Sequence, residues 1–497
     1  MKHVLRRVLK AAGFAFLGLA VLLAGLSAFF FIAGRDIDPP DMHDLLPPEL
    51  PLVEASDNMV PVLMDATNFL ALTFADKQLL LCYRLDEWDG KINTDVTNSI
   101  ALTAQEARDR ADAILAANAA VFAALDAAAS RHHAQYPLEL NQPLPINESA
   151  GAAACRASES FEASVVWYGW LAGMNARRLR ENGRSGEAVE GLLRYGEMFA
   201  RLSCGMDGPA GLLWLRDPGG PVCAELMRAA VDEDLADDTC VRIDAALARW
   251  SQMMRKSIER ECAYFAKRMR NFLSQDRLEL FNRYLPKSYF DPPFDTEGCK
   301  WVDSFSKGVE WTVRSFPGYG RYAFQPNRTL SEWASDVRAA KADAFSPPFT
   351  AEVRTRLAAV EQSEPDYGDF DFRLLRPNCV GAYAVAGYLP GGMWRFVGKV
   401  AFWGESNRAI IAIARYRRKH GSPPPSLGAL VPEFLDEVPR DPFDAGRQLG
   451  YDAEQGTLHT VGADGMFNGK IPEPNCRHGG LRSERRELIR RITGQRL

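Results

Sequence analysis

Hydrophobic residues recur at helical spacing along much of this chain, but its N-terminal segment is apolar on every face. Residues 11–33 form an uncharged run that follows Lys2, Arg6, Arg7 and Lys10. A helix of these 23 residues rises roughly 34 Å, whereas the hydrocarbon core of a bilayer is about 30 Å thick. The run therefore predicts a transmembrane helix.

The charges on either side of this run predict its orientation. Basic residues precede it, and Asp36, Asp38 and Asp41 follow it among several prolines. Positively charged flanks stay in the cytoplasm, so the N-terminus is predicted to be cytoplasmic. Residues 1–34 are predicted to form a cytoplasmic tip and a single-pass anchor, and residues 11–33 are predicted to lie in the inner membrane. The rest of the chain is predicted to lie in the periplasm or extracytoplasmic space of a bacterium.

A cleaved signal peptide is the main alternative for this segment. Gly25 and Ser27 resemble the small residues before a cleavage site, but the apolar run continues through Phe31, beyond the roughly 7–15 residues of a signal sequence. A lipoprotein would need a Cys where Leu26 stands. An uncleaved signal anchor is therefore predicted, and the shorter apolar run at residues 379–394, which holds Gly and Pro, is predicted to be a buried segment.

Prolines after the anchor predict an extended linker over residues 35–55, because Pro disfavours helix. Helical periodicity then predicts an α-helical body over residues 56–370. Thr103 and Glu106 have the spacing of a capping box at the start of one helix. The predicted helices run over residues 104–130, 158–181, 185–202 and 238–272, with Asn182 and Gly183 forming the turn of a generic antiparallel pair.

Aromatic residues, glycines and prolines crowd residues 276–330 and predict an irregular stretch. Two interpretations remain open. The aromatic side chains fill a core beneath long loops, or they line an open groove that contacts a ligand such as a glycan.

The last quarter of the chain has a different pattern. It predicts a helix at residues 407–420, a β-hairpin with strands at 449–451 and 457–461, and a basic tail at 476–497. In the helix, the apolar residues Ile410, Ile411 and Ile413 or Ala414 are predicted to be buried. The arginines are predicted to reach solvent, at positions Arg408, Arg415 and Arg418.

Several short motifs follow one another in this region. Tyr-x-x-x-His-Gly lies at residues 416–421, Pro-x-Ser-Leu-x-x-Leu-Val-Pro at 424–432, Val-Pro-x-Asp-Pro-Phe at 438–443 and Val-Gly-Ala-Asp-Gly at 461–465. This order, over residues 374–469, is similar to the globular end of the major type II secretion pseudopilins. It also resembles the closing module of uncharacterised membrane-anchored bacterial proteins. The resemblance implies a small α+β module over residues 371–475.

The chain departs from the pseudopilins in two ways. Several hundred residues separate its N-terminal helix from the module, so it is not itself a pseudopilin. In that family the loop around Gly-Ala-Asp-Gly binds calcium, and here it offers Asp464 and Asn468 as side-chain oxygens. Calcium takes about six to eight oxygen ligands, so this loop is predicted to be a turn without metal.

Composition excludes some classes of partner. A formal net charge of −5 predicts no binding to nucleic acid. The cysteines form no Cys-x-x-Cys pair and no zinc motif. Export to an oxidising compartment predicts disulfides among the nine cysteines, with at least one thiol left over. They are Cys82, Cys155, Cys204, Cys223, Cys240, Cys262, Cys299, Cys379 and Cys476.

Catalytic motifs of the common hydrolases, nucleotide-binding proteins and metalloproteases do not occur. No catalytic, cofactor-binding or metal residue is therefore predicted, and His132 and His133 are too differently oriented to chelate a metal together. Two acidic clusters keep acid–base catalysis open, since a glycosidase needs two carboxylates across a cleft. The clusters are Asp86, Glu87 and Asp89, and Glu364, Asp366, Asp369 and Asp371.

Three functions remain open. The leading hypothesis is a non-enzymatic, membrane-anchored extracytoplasmic helical scaffold or binding protein with an envelope partner. The second is an enzyme that acts on envelope polymers through paired carboxylates. The third is an accessory of a secretion or pilus-like apparatus, which the pseudopilin-like module implies.

Overall fold

The computed structural model describes residues 2–46, 52–83, 91–93, 99–135, 148–205, 219–232, 235–273, 321–322, 324–344, 346–362, 378, 393–454 and 456–461. Over these residues the chain is mainly α-helical. It begins with an apolar helix and has a small two-stranded antiparallel sheet near the C-terminus, which confirms the predicted fold class.

The helices and strands follow in simple chain order. The α-helices are α1 Lys2–Ala33, α2 Met59–Ala66, α3 Phe74–Tyr83, α4 Ala104–Ala117, α5 Ala119–Ala129, α6 Glu148–Glu181, α7 Ser185–Gly205, α8 Gly219–Asp232, α9 Asp237–Leu273, α10 Pro326–Ala344, α11 Ala351–Gln362 and α12 Met393–His420. Short 3-10 helices lie at Thr67–Phe69 and Leu427–Leu430. The antiparallel pairs are β1 Lys91–Asn93 with β2 Ser99–Ala101, and β3 Gly450–Asp452 with β4 Thr457–His459.

Helix α1 is long and apolar enough to cross a membrane. Its segment Gly13–Ala33 has a mean hydropathy of 2.5, and 6% of its most apolar window is buried within the protein. Phe14, Phe16 and Leu17 are exposed along it. A helix that is apolar on all faces is typical of a membrane span or of a helix buried in a core.

The chain divides into two compact units. Unit 1 comprises residues 1–47, 265–342 and 358–391, and it contains α1 and the first part of α10. Unit 2 comprises residues 48–264, 343–357 and 392–497, and it contains helices α2 to α8, most of α9 and α12.

A single hydrophobic cluster forms the core of unit 2. It includes the fully buried side chains of Tyr168, Phe199 and Trp250, which come from α6, α7 and α9. Gly196 lets α7 approach the Trp250 ring closely, since a Cβ at Gly196 would lie 2.0 Å from a ring carbon. The Trp250 indole N–H donates to Glu197 at 3.0 Å, which satisfies its one polar atom.

The prediction of one helix through residues 104–130 is wrong. The capping box of Thr103 and Glu106 begins α4 as predicted, but the chain bends by 59° at Asn118, between α4 and α5. Asn118 is fully buried and bonds both backbone groups of Ala71, with its Oδ1 accepting at 2.9 Å and its Nδ2 donating at 3.0 Å. These side-chain bonds to a residue distant in sequence hold Asn118 in place at the bend.

The turn at Asn182 and Gly183 is confirmed. Gly183 adopts a φ of +75°, a left-handed conformation that suits glycine. The Arg184 N–H donates to the Leu179 carbonyl at 2.8 Å, so the last carbonyls of α6 are capped. Helix α6 itself begins at Glu148, ten residues before the predicted start at position 158.

Helix α12 also begins earlier than predicted, at Met393. Glycines in its added turns allow close packing within unit 2. A Cβ at Gly398 would meet Phe443 at 2.4 Å, and one at Gly404 would meet Ser251 at 3.0 Å. Local propensity disfavours helix at these glycines, and the packing of the surrounding elements overrides it.

Burial of the apolar face of α12 is confirmed, because Ile410, Ile411 and Ile413 are each 1% exposed. Arg415 and Arg418 are half-buried, and both make contacts that the sequence pattern did not predict. Arg415 forms a bidentate pair with Asp237 at 2.6 Å, and Arg418 donates to the carbonyl of Ala230 at 3.1 Å. These side chains join α12 to the ends of α8 and α9.

Two sequence patterns in unit 1 also differ from expectation. Met42 and Leu45 lie in the predicted linker, yet both are buried. Helix α10 begins at Pro326, inside the stretch predicted to be irregular, and Tyr322 and Phe324 just before it are buried. Residues 276–320 of that stretch lie outside the described residues.

Candidate functional site

The C-terminal end of α1 is capped by a residue from far along the chain. A helix leaves its last four carbonyls without helical partners. The Gly34 N–H donates to the Phe30 carbonyl at 2.9 Å, and the Gln325 side-chain amide donates to the Ala33 carbonyl at 2.9 Å. Gln325 is fully buried, so this cap is shielded from water.

The N-terminal end of α10 is capped in turn by a residue that follows α1. Each Asp36 carboxylate oxygen accepts a 3.0 Å hydrogen bond, one from the Asn327 N–H and one from the Arg328 N–H. The Asn327 side chain donates to the Ile37 carbonyl at 2.8 Å. A carboxylate is favourable at the positive end of a helix, and Pro326 suits the first position because it needs no hydrogen-bond partner there.

Asn378 binds these two caps together. Its φ of 59° lies in the left-handed region, which Asn tolerates better than most residues. Its Oδ1 accepts from the Gln325 N–H at 3.0 Å and from the Thr329 hydroxyl at 2.8 Å, and its own N–H donates to the Tyr322 carbonyl at 2.7 Å. Asn378 is 1% exposed, and the buried network holds Gln325 in one position.

Close backbone packing completes this arrangement. A Cβ at Gly34 would lie 2.7 Å from the Tyr322 nitrogen and 2.8 Å from the Arg321 carbonyl carbon, so only glycine fits without a shift. The Tyr322 ring lies 5.2 Å from the Phe30 ring and 5.6 Å from the Phe29 ring, between centroids. We call this region the N-terminal junction: residues 29–37, 321–322, 324–329 and 378.

The chain beyond the junction runs along α10. Arg338 forms a bidentate pair with Asp44, at 2.8 and 2.6 Å, and Met42 and Leu45 are buried on either side of Asp44 in the sequence. The hydrogen bond from Arg338 lowers the pKa of Asp44 to about 2. An exposed pair contributes little to stability, whereas the two buried apolar side chains remove nonpolar surface from water.

A cleft between α3, α6 and α8 is a second candidate, this one in unit 2. Its cavity volume is about 20 Å³, room for roughly one water molecule and far below the about 300 Å³ of the smallest small-molecule pockets. Glu225 at its edge pairs with Arg180 at 3.1 Å and with Arg228, and all three side chains are at least 90% buried. The lining residues are Leu80, Trp170, Gly173, Met174, Arg177, Pro221, Ala224 and Glu225.

Asp244 is a third candidate, because burial raises the pKa of its carboxyl, with a further contribution from the charge of Asp436. The positive charges of Arg408 and Arg415 oppose this rise. Its Oδ1 has no hydrogen-bond partner among the described residues, and the Arg408 Nε lies 4.0 Å away. Asp244 does not line the cleft, so the raised pKa and the cavity do not coincide.

The Val-Pro-x-Asp-Pro-Phe motif has a structural role. Asp441 is 1% exposed and accepts hydrogen bonds from the Phe443 N–H at 2.9 Å, from the Val461 N–H at 2.8 Å and from the Thr460 hydroxyl. Its carboxylate therefore ties the loop before the β3–β4 hairpin to the end of the second strand.

Several predicted features cannot be located. The acidic clusters at residues 86–89 and 364–371 and the loop that contains Asp464 and Asn468 lie outside the described residues. His133 lies beside Asp57, with its Nε2 3.4 Å from the Asp57 Oδ2. Among the described residues no group of His, Cys, Asp and Glu side chains is arranged to hold a metal ion.

The residues of the junction were missed by sequence reasoning. No local motif contains Gln325, Asn378 and Asp36. Gln325 bonds Ala33, and Asp36 bonds Asn327, and the two residues of each pair are about three hundred positions apart. The available signal was indirect: Asp36 lies three residues after the apolar run, and Asn378 follows Arg-Pro just before an apolar segment.

Comparison of the chain with family models, with curated proteins and with solved structures gave no match, so its function is argued from this geometry.

Proposed function

We propose that this protein is a membrane-anchored helical scaffold or binding protein whose body lies on the extracytoplasmic side of the cytoplasmic membrane. The observation that carries the proposal is the reciprocal capping at the N-terminal junction. Gln325 caps the end of α1, and Asp36 caps the start of α10. A simple membrane tether does not need these caps. A scaffold needs them, because it must present a surface at a fixed orientation to the membrane.

The charges that flank the apolar run support the orientation. Four basic residues precede the apolar run and acidic residues follow it, which favours a cytoplasmic N-terminus. The polar junction also suits the aqueous side of a membrane boundary, because unpaired polar groups in hydrocarbon are expensive.

The secretion-accessory alternative keeps one specific observation in its favour. Helix α12 is followed by a short 3-10 helix, the Asp441 loop and the β3–β4 hairpin. This is the element order that the pseudopilin resemblance implies. A partner from a secretion or pilus-like apparatus is therefore the narrower form of the scaffold proposal.

Topology is the first test. Protease added to spheroplasts should degrade the chain beyond about residue 46 and leave a protected fragment that begins at the original N-terminus. Alkaline washing should leave the intact protein in the membrane pellet. A protected body would reverse the orientation, and a mature N-terminus near Ser27 would show that the helix is a cleaved signal.

The scaffold role needs a second test, because a simple tether has the same topology. A variant with both Asp36→Ala and Gln325→Ala keeps the apolar run and loses both caps. It should stay in the membrane but become sensitive to limited proteolysis between residues 34 and 46. Equal proteolysis of the variant and the parent would remove the support for a fixed orientation.

A further inference from the structure

Arg321 occupies an unusual position beside the last turns of α1. Its guanidinium carbon lies 5.9 Å from the centroid of the Phe31 ring, and the residue is exposed. Within the described part of the chain, no carboxylate pairs with this guanidinium. A guanidinium has five N–H donors in a planar fork, so it requires acceptors from water or from a ligand.

The depth of Arg321 follows from the geometry of α1. Phe31 lies two residues before Ala33, where both the helix and its apolar segment end. At 1.5 Å per residue it is about 3 Å below that end. Phe31 and Ile32 are 47% and 67% exposed, so much of each side chain is left uncovered by the protein. If residues 13–33 cross the membrane, these side chains face lipid and Arg321 lies at the level of the headgroups.

The surrounding aromatic residues fit the same level. The Tyr322 ring lies close to the rings of Phe29 and Phe30, and Tyr322 is buried. Aromatic residues are enriched where a transmembrane helix leaves the hydrocarbon. Arg extends an apolar stem along such a surface and keeps its charged group in the polar layer.

We infer that Arg321 binds the phosphate of a membrane phospholipid, and that the chain at residues 321–322 rests on the extracytoplasmic membrane surface. Phosphate oxygens match the guanidinium fork through two parallel hydrogen bonds. The contact would hold this end of α1 at the membrane surface, in addition to the hydrogen bonds that Gln325 and Asp36 make within the protein. This inference rests on the proposed membrane anchor.

Photocrosslinking to lipid tests the placement. The photoreactive residue p-benzoylphenylalanine is introduced at one position of the full chain, in nanodiscs of phosphatidylethanolamine and phosphatidylglycerol. The positions are Arg321, Phe16 within the apolar segment, and Ser335, which is exposed on α10 about 14 Å beyond Pro326 along the helix axis. Mass spectrometry after illumination should find lipid adducts at positions 16 and 321 and none at 335.

The outcomes separate this inference from the proposed function. An adduct at 16 without one at 321 overturns the surface contact and leaves the anchor intact. No adduct at either position contradicts the anchor itself. Equal adducts at 321 and 335 would mean that the unit lies on the membrane without the specific placement of Arg321.

Phosphate recognition has its own test. Arg321→Gln should lower the melting temperature in phospholipid nanodiscs by about 2–4 °C, and Arg321→Lys should lower it less. In a maltoside detergent, which has no phosphate, Arg321→Gln should melt like the parent. Equal melting of Arg321→Gln and the parent in nanodiscs overturns the contact. If inorganic phosphate in detergent stabilises the parent as much as the lipid does, the ligand is free phosphate and the lipid assignment is wrong.

Discussion

Gln325 and Ala33 are 292 positions apart in the sequence, yet the Gln325 side-chain amide donates to the Ala33 carbonyl at 2.9 Å. The bond is made beside Gly34, whose lack of a side chain allows the backbone of residues 321 and 322 to approach. The C-terminal end of α1, a helix able to cross a membrane, is thus capped by the residue that directly precedes α10.

Gly34 of the junction should not tolerate a side chain. A Cβ there would lie 2.7 Å from the Tyr322 nitrogen, and backbone atoms cannot move as a flexible side chain does. Gly34→Ala should destabilise unit 1 by about 1–3 kcal/mol, as overpacking does. Gly18→Ala is the matched control, because a Cβ at Gly18 meets nothing within 4 Å. Thermal unfolding in detergent should separate the two variants, and equal melting temperatures would contradict the tight junction.

Two glycines of α7 should respond in opposite directions to alanine. Gly196→Ala places a Cβ 2.0 Å from the buried Trp250 ring and should destabilise unit 2 by about 1–3 kcal/mol. Gly191→Ala meets nothing within 4 Å and should stabilise the helix by about 0.5–1 kcal/mol. Chemical denaturation of both variants measures the difference. The packing argument is wrong if the two changes have the same sign.

Ile411→Asp should destabilise the protein by about 3–5 kcal/mol, because it places an unpaired charge at a position that is 1% exposed. Ile411→Val keeps an apolar side chain and should lower the free energy of unfolding by only about 0.5–1.5 kcal/mol. Thermal melts of both variants provide the comparison. An Ile411→Asp variant that melts like the parent would contradict the burial of this face of α12.

Asp244 should give a pH-dependent effect. Burial raises its folded-state pKa above the ordinary value of 3.8, so the folded protein loses stability as pH rises from 3.8 through the raised pKa. Asp244→Asn removes that loss and should raise the melting temperature more at neutral pH than near pH 3.8.

Asp112 supplies a control of opposite sign. The hydrogen bond from Arg178 lowers the pKa of Asp112, so its charge favours the folded state at neutral pH. Asp112→Asn should therefore lower the melting temperature at neutral pH and matter less at low pH. Identical pH profiles for the Asp244 and Asp112 variants would contradict both assignments.

The cysteines remain a test of compartment. Cys204 and Cys240 are thiols in the structure, and the Cys204 Sγ lies 3.1 Å from the carbonyl of Met253. Export predicts that other cysteines pair, so alkylation of the denatured, unreduced protein should label fewer than nine thiols, including these two. Labelling of all nine would contradict the disulfide prediction.

Local signals were sufficient for the elements that depend on neighbouring residues. Thr103 and Glu106 form the predicted capping box, and Gly183 forms the predicted turn, because the groups they bond are within five positions. The break at Asn118 and the start of α10 at Pro326 were not predictable in this way. Asn118 bonds Ala71, and the N–H groups after Pro326 bond Asp36, so both outcomes depend on chain that is distant in sequence.

The same limit applies to the candidate site. The residues next to Gln325 in the sequence do not indicate that its side chain will cap a distant helix. Burial of the apolar face of α12 was predictable from periodicity, but the ion pair of Arg415 with Asp237 was not. Periodicity identifies the face that is buried, and only the packed structure identifies the partner.

The separation of Ala33 from Gln325 also has a consequence in time. Ribosomes add about 5–20 residues per second, so the 292 positions between the two residues correspond to roughly 15–60 s of synthesis. During that interval the carbonyl of Ala33 and the carboxylate of Asp36 lack the donors that Gln325, Asn327 and Arg328 later supply, and water or lipid headgroups take their place. An N-terminal helix inserted early would therefore stay free to adjust its depth in the membrane until the chain near Gln325 emerges, when its final position is fixed.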